Sequence, residues 1–318
     1  MHAAVVDAFD RPPAYREVPQ PQPASGEVLV EVLASAIHPR VRSQADGTHY
    51  TSTEALPLVP GIDGVGRDPE GVLRYFLLPD AALGAMAERT PIDPRRSVVL
   101  PDGVDPVRIA AAMNPAMSSW IALTRRIALP TGARVLVLGA TGSAGRMAVQ
   151  IAKHFGAAHV TAAGRDGRRL AALPALGADA LVDLRRDQEA VRADLAEAGR
   201  DLDVVLDYVW GAPTAAAMRA IVPARADDDR PLTWVQIGST AGLESPIPSA
   251  ALRATDLRLV GSGQGSVPTR GILAELPRLA TAITTGGYEV AARAVPLRDV
   301  TAAWAEAPTT DDRLVLVP

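Results

Sequence analysis

The chain has 318 residues, of which 48% are hydrophobic and 21% are charged, a balance typical of a folded globular protein rather than a disordered one. A single hydrophobic core rarely extends over this length, so we expect two domains. The formal net charge of −4 gives no electrostatic attraction to nucleic acid or to an anionic membrane, and neither is an expected partner.

The sequence contains no cysteine. This excludes disulfides, iron–sulfur clusters, zinc sites with thiolate ligands and cysteine nucleophiles. The first residues lack a basic leader and an apolar block, and the longest uncharged stretch, residues 109–124, is too short and too polar to span a bilayer. We therefore expect a cytoplasmic protein.

The first third of the chain has the pattern of a β-rich domain. Residues 28–33 and 73–77 are apolar runs that predict strands, and the glycines at 61, 64 and 66 indicate turns between them. An alanine-rich helix is predicted around residues 107–112.

From residue 135 onward, strand and helix patterns alternate. Six short runs are apolar, and several of them are almost continuously so, as are strands buried on both faces of a parallel sheet. They cover residues 135–138, 159–162, 180–182, 203–206, 233–237 and 257–260. An amphipathic helix follows the first run and ends at Gly156. Six strands with intervening helices predict an α/β protein with a doubly wound, Rossmann-type parallel sheet.

The end of the chain departs from this alternation. A helix is predicted over residues 268–285, a strand over 288–295 and a closing strand over 314–317. We expect this tail to return to the first domain.

A glycine-rich turn between the first of the six strands and its helix is the strongest chemical signal. A pyrophosphate needs backbone amides without nearby Cβ atoms and the positive end of a helix dipole. Gly139 permits the tight turn, Gly142 permits the approach of the ligand, and Gly145 permits close packing of helix on strand. The GxxGxxG spacing alone is a weak motif, and a purely structural turn is the alternative. The predicted dinucleotide contacts are Gly139, Thr141, Gly142, Ser143, Ala144 and Gly145.

The end of the second strand predicts which dinucleotide is bound. An NAD site usually has a carboxylate there to receive the ribose 2′-hydroxyl, whereas here Gly164 is followed by Arg165. Guanidinium groups pair well with phosphate, so Gly164, Arg165 and Arg169 predict NADP(H) as the cofactor. The alternative is that these arginines are only solvated residues at a helix start.

With these motifs located, the chain resembles the medium-chain dehydrogenase/reductase superfamily, and within it the zinc-independent quinone oxidoreductase-like branch. The resemblance covers nearly the whole chain and is carried by residues 1–6, 26–32, 60–66, 139–145, 152–157, 176–179 and 237–239. It implies a GroES-like β-barrel catalytic domain, expected over residues 1–115 and 266–318, and a Rossmann domain over 116–265. It also implies a homodimer.

The zinc-dependent members of this superfamily hold the metal with cysteines and with the histidine of a GHE motif. Here that motif reads Gly61-Ile62-Asp63, so an isoleucine replaces the histidine and no cysteine is present. We therefore predict no metal site. A hydride acceptor that needs no Lewis acid must already be electrophilic, which points to a quinone or to an alkene conjugated with a carbonyl group.

Four residues are candidates for the chemistry at the acceptor. His38, at the end of a strand, replaces the asparagine usual in this branch, and a purely structural role is equally open. Tyr50 lies one position beyond a tyrosine acid of related enoyl reductases, and an exposed loop aromatic is the alternative. Ser118 matches a threonine that commonly approaches the nicotinamide. Asn114 is a candidate donor to the carboxamide or the substrate, with helix capping as its alternative.

Further cofactor contacts are predicted at the carboxyl ends of the last two strands, the edge of a doubly wound sheet where ligands bind. They are Gly238, Ser239, Ser262 and Gly263, and the alternative is that these are turn residues only. Tyr208 and Trp210 follow the fourth strand and are interpreted as core residues, with a place in the wall of the cleft as the alternative.

These observations favour an NADPH-dependent quinone or enone reductase acting on a small molecule. Two alternatives stay open at this point. One is an enoyl reductase of a biosynthetic pathway that acts on a thioester-bound chain, and the other is a catalytically silent NADPH-binding interaction protein.

Overall fold

The computed structural model describes residues 1–48, 52, 55–78 and 82–318. The chain divides into two units. The first unit contains Met1–Asn114 and Leu273–Pro318, and the second contains Pro115–Ile272.

The strands of the described residues are numbered in chain order. They are β1 (His2–Val5), β2 (Ala14–Glu17), β3 (Val28–Ala36), β4 (Asp63–Arg67), β5 (Leu73–Leu77), β6 (Arg89–Ile92), β7 (Ser97–Val99), β8 (Arg134–Leu138), β9 (His159–Gly164), β10 (Ala180–Asp183), β11 (Val204–Asp207), β12 (Leu232–Gln236), β13 (Leu257–Gly261), β14 (Ala292–Pro296) and β15 (Arg313–Val317).

The α-helices of the same residues are numbered in the same way. They are α1 (Pro39–Ala45), α2 (Pro106–Ile121), α3 (Ser143–His154), α4 (Gly167–Ala171), α5 (Gln188–Gly199), α6 (Gly211–Ile221), α7 (Thr269–Thr285) and α8 (Val300–Glu306). A π-helical turn, Ala122–Arg126, directly follows α2.

The first unit is built on a mixed sheet in the order β14-β15-β3-β4-β5-β7, with β6 paired to β3 as well. The strands predicted at 28–33 and 73–77 are confirmed as β3 and β5. The closing strand is also confirmed, and it pairs antiparallel with β3 through Val315 and Ala36. The strand predicted over 288–295 was begun too early, because β14 starts only at Ala292, beyond the turn in which Gly287 has a φ of +69°.

The second unit is a parallel sheet in the order β10-β9-β8-β11-β12-β13, with every residue of this unit described. All six predicted strands are confirmed as strands of this sheet. The four inner strands, β8, β9, β11 and β12, bury both of their faces. From β8 the chain first adds strands on one side, β9 and β10, and then adds β11, β12 and β13 on the other side, so the order of the strands reverses between β8 and β11. That reversal creates a crevice at the carboxyl ends of these two strands, which is where ligands bind in doubly wound folds.

Each unit has its own hydrophobic core. One core cluster includes Ile37, Ile62 and Trp304 of the first unit, and another includes Leu136 and Trp234 of the second. Among the described residues, no helix is long and apolar enough to cross a membrane.

Candidate cofactor and active site

The glycine turn after β8 is fixed to the neighbouring strand. The amides of Gly139 and Ala140 both donate to the carbonyl of Ala163 on β9, at 2.9 Å each. Gly139 has a φ of +86°, which an L-residue with a side chain rarely adopts. The turn therefore has the geometry that the glycine motif predicts.

The first turn of α3 is left open for an anion. Gly142 occupies the N-cap and has no side chain to accept from the first amides of the helix, which have no acceptor within the helix either. No acidic residue lies in this first turn. A Cβ on Gly142 would have only the carbonyl oxygen of Gly139 near it, at 3.7 Å. The start of α3 therefore has no side-chain cap, and its helix dipole and first amides are suited to an anion.

Gly145 brings this helix end close to the turn. A Cβ there would stand 2.3 Å from the carbonyl oxygen of Gly139 and 2.6 Å from the Cα of Ala140. Real Cβ atoms essentially never make such contacts with backbone, so only glycine fits at position 145.

The end of β9 packs on the same turn. A Cβ on Gly164 would lie 2.5 Å from the Cγ2 of Thr141, so the absence of a side chain brings this strand end against the loop. Arg165 is exposed, and within the described part of the chain no hydrogen bond or ion pair engages its guanidinium. Asp166 caps α4 by accepting from the amide of Arg169 at 3.0 Å, and its other oxygen lies 3.5 Å from the Nε of Arg169. Of the two predicted arginines, Arg165 is therefore the available one.

A second arginine at this edge was missed by the sequence analysis. Asp183 at the end of β10 pairs with Gly164 of β9, and Arg185 follows it. The Arg185 side chain lies so near Gly167 that a Cβ there would be 2.3 Å from one of its terminal nitrogens. Arg185 also contacts the Asp183 carboxylate at 3.4 Å. Arg185 could have been found only from the register that places the end of β10 beside the end of β9, and the sequence pattern of one strand does not contain that register.

The predicted residues of the last two strand ends lie at the carboxyl edge, as expected. Gly238 follows β12, and a Cβ there would be 2.8 Å from the carbonyl oxygen of Tyr208, so its immediate role is close packing of two loops. Ser239 is exposed. Ser262 is buried after β13, whereas the neighbouring Gly263 is exposed, with no atom within 4 Å of the position of a Cβ.

Ser118 is held in a hydroxyl pair. Its hydroxyl donates to the carbonyl of Pro115 at 2.7 Å and lies 3.0 Å from the hydroxyl of Tyr208. Either hydroxyl can be the donor in this pair; when the single O–H of Ser118 is directed at Pro115, Tyr208 is the donor to Ser118. Tyr208 also contacts Ser119. Burial raises the pKa of Tyr208 to about 12, so its hydroxyl keeps its proton at ordinary pH. With Tyr208 as the donor, Ser118 is left with acceptor capacity only.

His38 is the centre of a buried polar cluster in the first unit. Its Nε2 lies 2.9 Å from one oxygen of Asp63, and the hydroxyl of Tyr75 donates to the other oxygen at 2.7 Å. The side chains of His38 and Asp63 are each only 1% exposed. This arrangement supports the structural role that the sequence left open for His38, with its proton on Nε2 facing the carboxylate.

The pKa of His38 is lowered because burial disfavours the imidazolium, and this outweighs the attraction of Asp63. Arg313 and Arg40 add to the lowering by repulsion. Arg313 is itself largely buried, and desolvation lowers its pKa to about 10.

The remaining candidates are placed as follows. Asn114 lies well inside α2 and is partly exposed, so the capping alternative is wrong. Tyr50 lies outside the described residues. Tyr208 is buried, as the core interpretation expects, but Trp210 is partly exposed. The described residues contain no group of three or more histidine or acidic side chains arranged to hold a metal ion.

The architecture is a two-unit α/β fold with a Rossmann-type sheet in the second unit. Residues 144–279 match a family model described as a zinc-binding dehydrogenase. That range does not include Gly61-Ile62-Asp63, so the name of the model does not bear on those positions.

Similar proteins narrow the class of protein further. The chain is 32% identical to a protein of Emericella nidulans named "Probable NADPH-dependent quinone reductase tdiC", over 100% of both chains. It is 26% identical to an NADPH-dependent alkenal/one oxidoreductase of Arabidopsis thaliana, over 59% of this chain and 51% of the relative. The quinone oxidoreductase of Thermus thermophilus, solved also with NADPH, has the same fold with a TM-score of 0.81, 24% identity and 100% coverage of both chains.

The chain therefore belongs to the quinone oxidoreductase-like group of the medium-chain dehydrogenase/reductase family, and it is an oxidoreductase.

Alanine substitutions at two glycines of the turn should affect different properties, protein stability in one case and dinucleotide affinity in the other. Gly145→Ala forces a Cβ against backbone and should lower the free energy of unfolding by about 1–3 kcal/mol. Gly142→Ala meets no protein atom closer than 3.7 Å and should change stability by less than about 0.5 kcal/mol. Its methyl group should instead lower dinucleotide affinity about tenfold or more. Denaturant unfolding and a fluorescence titration measure the two effects. Equal losses of stability would contradict this assignment.

The buried His38 should make stability depend on pH. The unfolded chain takes up a proton near the usual pKa of 6.5, whereas the folded state resists protonation until lower pH. Stability from this group is thus complete above about pH 6.5 and is lost as the pH falls below it. The stability of the wild type relative to His38→Gln, which keeps a donor for Asp63, should fall by up to about 1.4 kcal/mol per pH unit there. A difference that does not vary with pH would refute the buried neutral imidazole.

Proposed function

We propose that the chain is an NADPH-dependent, zinc-independent oxidoreductase that transfers hydride to a quinone or an α,β-unsaturated carbonyl compound. The observation that carries this proposal is the open, glycine-capped start of α3 with the unengaged Arg165 at the neighbouring strand end. The full-length likeness to a protein named as an NADPH-dependent quinone reductase supports the same function.

The chain's residues fit the cofactor in two places. The amides of Ser143 and Ala144 at the start of α3 are suited to the pyrophosphate, and Gly142 leaves room for it. Arg165 and Arg185 are suited to the 2′-phosphate of the adenosine half, because both are exposed cations at the ends of adjacent strands. When bound, NADPH supplies the hydride.

The charge at the end of β9 favours NADPH over NADH. The nearest following carboxylate, Asp166, already accepts from the amide of Arg169 and so is committed to the cap of α4. No residue of β9 therefore offers a carboxylate to a ribose 2′-hydroxyl, and the Asp183 carboxylate at the end of β10 is paired with Arg185 at 3.4 Å.

The acceptor must be activated by conjugation in this proposal. Ile62, at the position of the histidine ligand of zinc-dependent relatives, is packed in the core cluster with Val41 and Met86, and the chain has no cysteine. A quinone accepts a hydride at a ring oxygen or carbon and a proton from water to give a hydroquinone. An enone accepts the hydride at its β-carbon and a proton at its α-carbon to give a saturated ketone.

The protein's own contribution is to orient the reactants and exclude water, which is worth about 7–11 kcal/mol when the alignment is good. Ser118 retains an acceptor that suits the carboxamide N–H of a nicotinamide, and Tyr208 fixes its orientation. Gly238, Ser239, Ser262 and Gly263 are proposed to line the same half of the cleft. Asn114 and Tyr50 are proposed to act on the acceptor, as hydrogen-bond donor and proton donor respectively.

A homodimer is also proposed. The strand β13 is the last of its sheet, with one edge unpaired among the described residues, and Leu259 on it is 39% exposed. An open strand edge of this kind is a common site of pairing with a second copy.

Turnover with a panel of acceptors tests the function. NADPH oxidation, followed by the loss of nicotinamide absorbance, should be saturable with a naphthoquinone or with a simple enone and unchanged by a metal chelator. Reduction of a crotonyl thioester without reduction of the free acceptors would instead favour the enoyl-thioester reductase. Tight NADPH binding without turnover of any acceptor would favour a silent binding protein.

Cofactor preference tests the two arginines. Arg165→Ala and Arg185→Ala should each weaken NADPH binding by about tenfold, since each removes a charge-assisted contact, and should leave NADH binding within about twofold. Arg186→Ala is the matched control, because that arginine is the next residue but pairs at 2.6 Å with Asp194 of α5 rather than with Asp183 at the strand end. Isothermal titration of all three variants measures the effects. Equal wild-type affinity for NADPH and NADH would contradict the role of both arginines.

A further inference from the structure

The residue Trp210 has a backbone conformation that is almost exclusive to glycine. Its φ is 53° and its ψ is −167°, and it is the only residue other than glycine with positive φ among the described residues. A β-carbon in this region is strained, and such strain persists only where the surroundings fix the backbone.

The surroundings do fix it. The carboxylate of Asp207, with 0% exposure, accepts from the amide of Trp210 at 3.0 Å and from the amide of Val209 at 2.9 Å. The same carboxylate accepts from Thr214 at 2.6 Å and from the indole of Trp234 at 2.9 Å. Four donors on three elements thus hold the turn after β11.

The indole of Trp210 lies outside the buried core. Trp120, Trp234 and Trp304 are buried, whereas Trp210 is partly exposed. In the described part of the chain its ring makes no aromatic or cation–π contact and its N–H has no hydrogen-bond partner. A large side chain held at the cost of strain and without such partners suggests that its partner is a ligand.

Its place in the sheet indicates which ligand. Tyr208 and Val209, the residues just before it, would lie 3.2 and 3.1 Å from a Cβ on Gly139, so this turn adjoins the dinucleotide loop. Arg165 and Arg185, at β9 and β10, lie on one side of the switch point, and the 2′-phosphate belongs to the adenosine half of the cofactor. The nicotinamide half then belongs to the side of β11, β12 and β13, where Trp210 lies.

We propose that the indole of Trp210 is a contact surface for an electron-poor flat ring bound in the nicotinamide half of the cleft. An indole is electron-rich, and offset stacking on such a ring is favourable. Two sources fit this chemistry, the oxidised nicotinamide and a quinone acceptor. The proposal rests on the cofactor site proposed above and adds a specificity residue to it.

Two comparisons of variants test the ring and the strain separately. Trp210→Phe keeps a flat ring, and Trp210→Ala removes it. Relative to Phe, the Ala variant should weaken NADP⁺ binding, or raise the KM for a naphthoquinone acceptor, by about 3- to 10-fold. It should leave the affinity for 2′-phospho-ADP-ribose, which has no nicotinamide, unchanged. An effect on NADP⁺ identifies the nicotinamide as the stacked ring, and an effect on the quinone alone identifies the acceptor.

The backbone strain at position 210 should reverse the usual order of stability of alanine and glycine variants. At an ordinary position Gly is less stable than Ala, but Trp210→Gly should have a Tm about 2–4 °C higher than Trp210→Ala, because glycine adopts this backbone freely. A lower Tm for Gly than for Ala would contradict the strain. Unchanged constants for NADP⁺ and quinone in the Ala variant, or an equal loss for 2′-phospho-ADP-ribose, would overturn the proposed contact.

A wild-type protein that binds no NADP(H) would instead refute the proposed function itself. Iodide quenching of tryptophan fluorescence gives an independent readout, since Trp210 is the tryptophan open to solvent. The ring ligand should protect the wild type from iodide, and 2′-phospho-ADP-ribose should not. Equal protection by both ligands would count against the contact.

Discussion

The close approach of Gly145 to the turn at Gly139 and Ala140 is the constraint on which the site depends. It sets the start of α3 directly on the end of β8, so that the free amides of the helix open at the carboxyl edge of the sheet. Other strand ends then pack around this turn: Gly164 against Thr141, and the residues after β11 against Gly139. A side chain at any of these contacts would push the strand ends apart.

The two halves of this edge differ in chemistry. The ends of β9 and β10 are followed by exposed guanidinium groups, which suit a phosphate, whereas the end of β11 is followed by the Tyr208 hydroxyl, which contacts Ser118, and by Trp210 with its strained backbone. The buried carboxylate of Asp207 stabilises the second half by collecting donors from the turn, from α6 and from β12. A cofactor with a phosphorylated end and a flat aromatic end matches this division of charge.

Much of the second unit could be predicted from the sequence, because strands buried on both faces leave continuous apolar runs and the glycine turn has a recognisable spacing. Arg185 was missed because its position depends on the register of β10 against β9. The burial of His38 was undetermined because its partner Asp63 is distant in sequence and reaches it only through the pairing of β3 with β4. The backbone of Trp210 has no sequence signal, since positive φ is ordinarily marked by glycine.

The central claim is that hydride goes to an acceptor activated by conjugation rather than to a carbonyl carbon activated by a metal ion. The most direct measurement is the position of deuterium after single turnovers of an enone with NADPH labelled at C4, using both C4 epimers. The account predicts that one epimer delivers deuterium to the β-carbon, giving a saturated ketone. Deuterium at the carbonyl carbon of an allylic alcohol would contradict it.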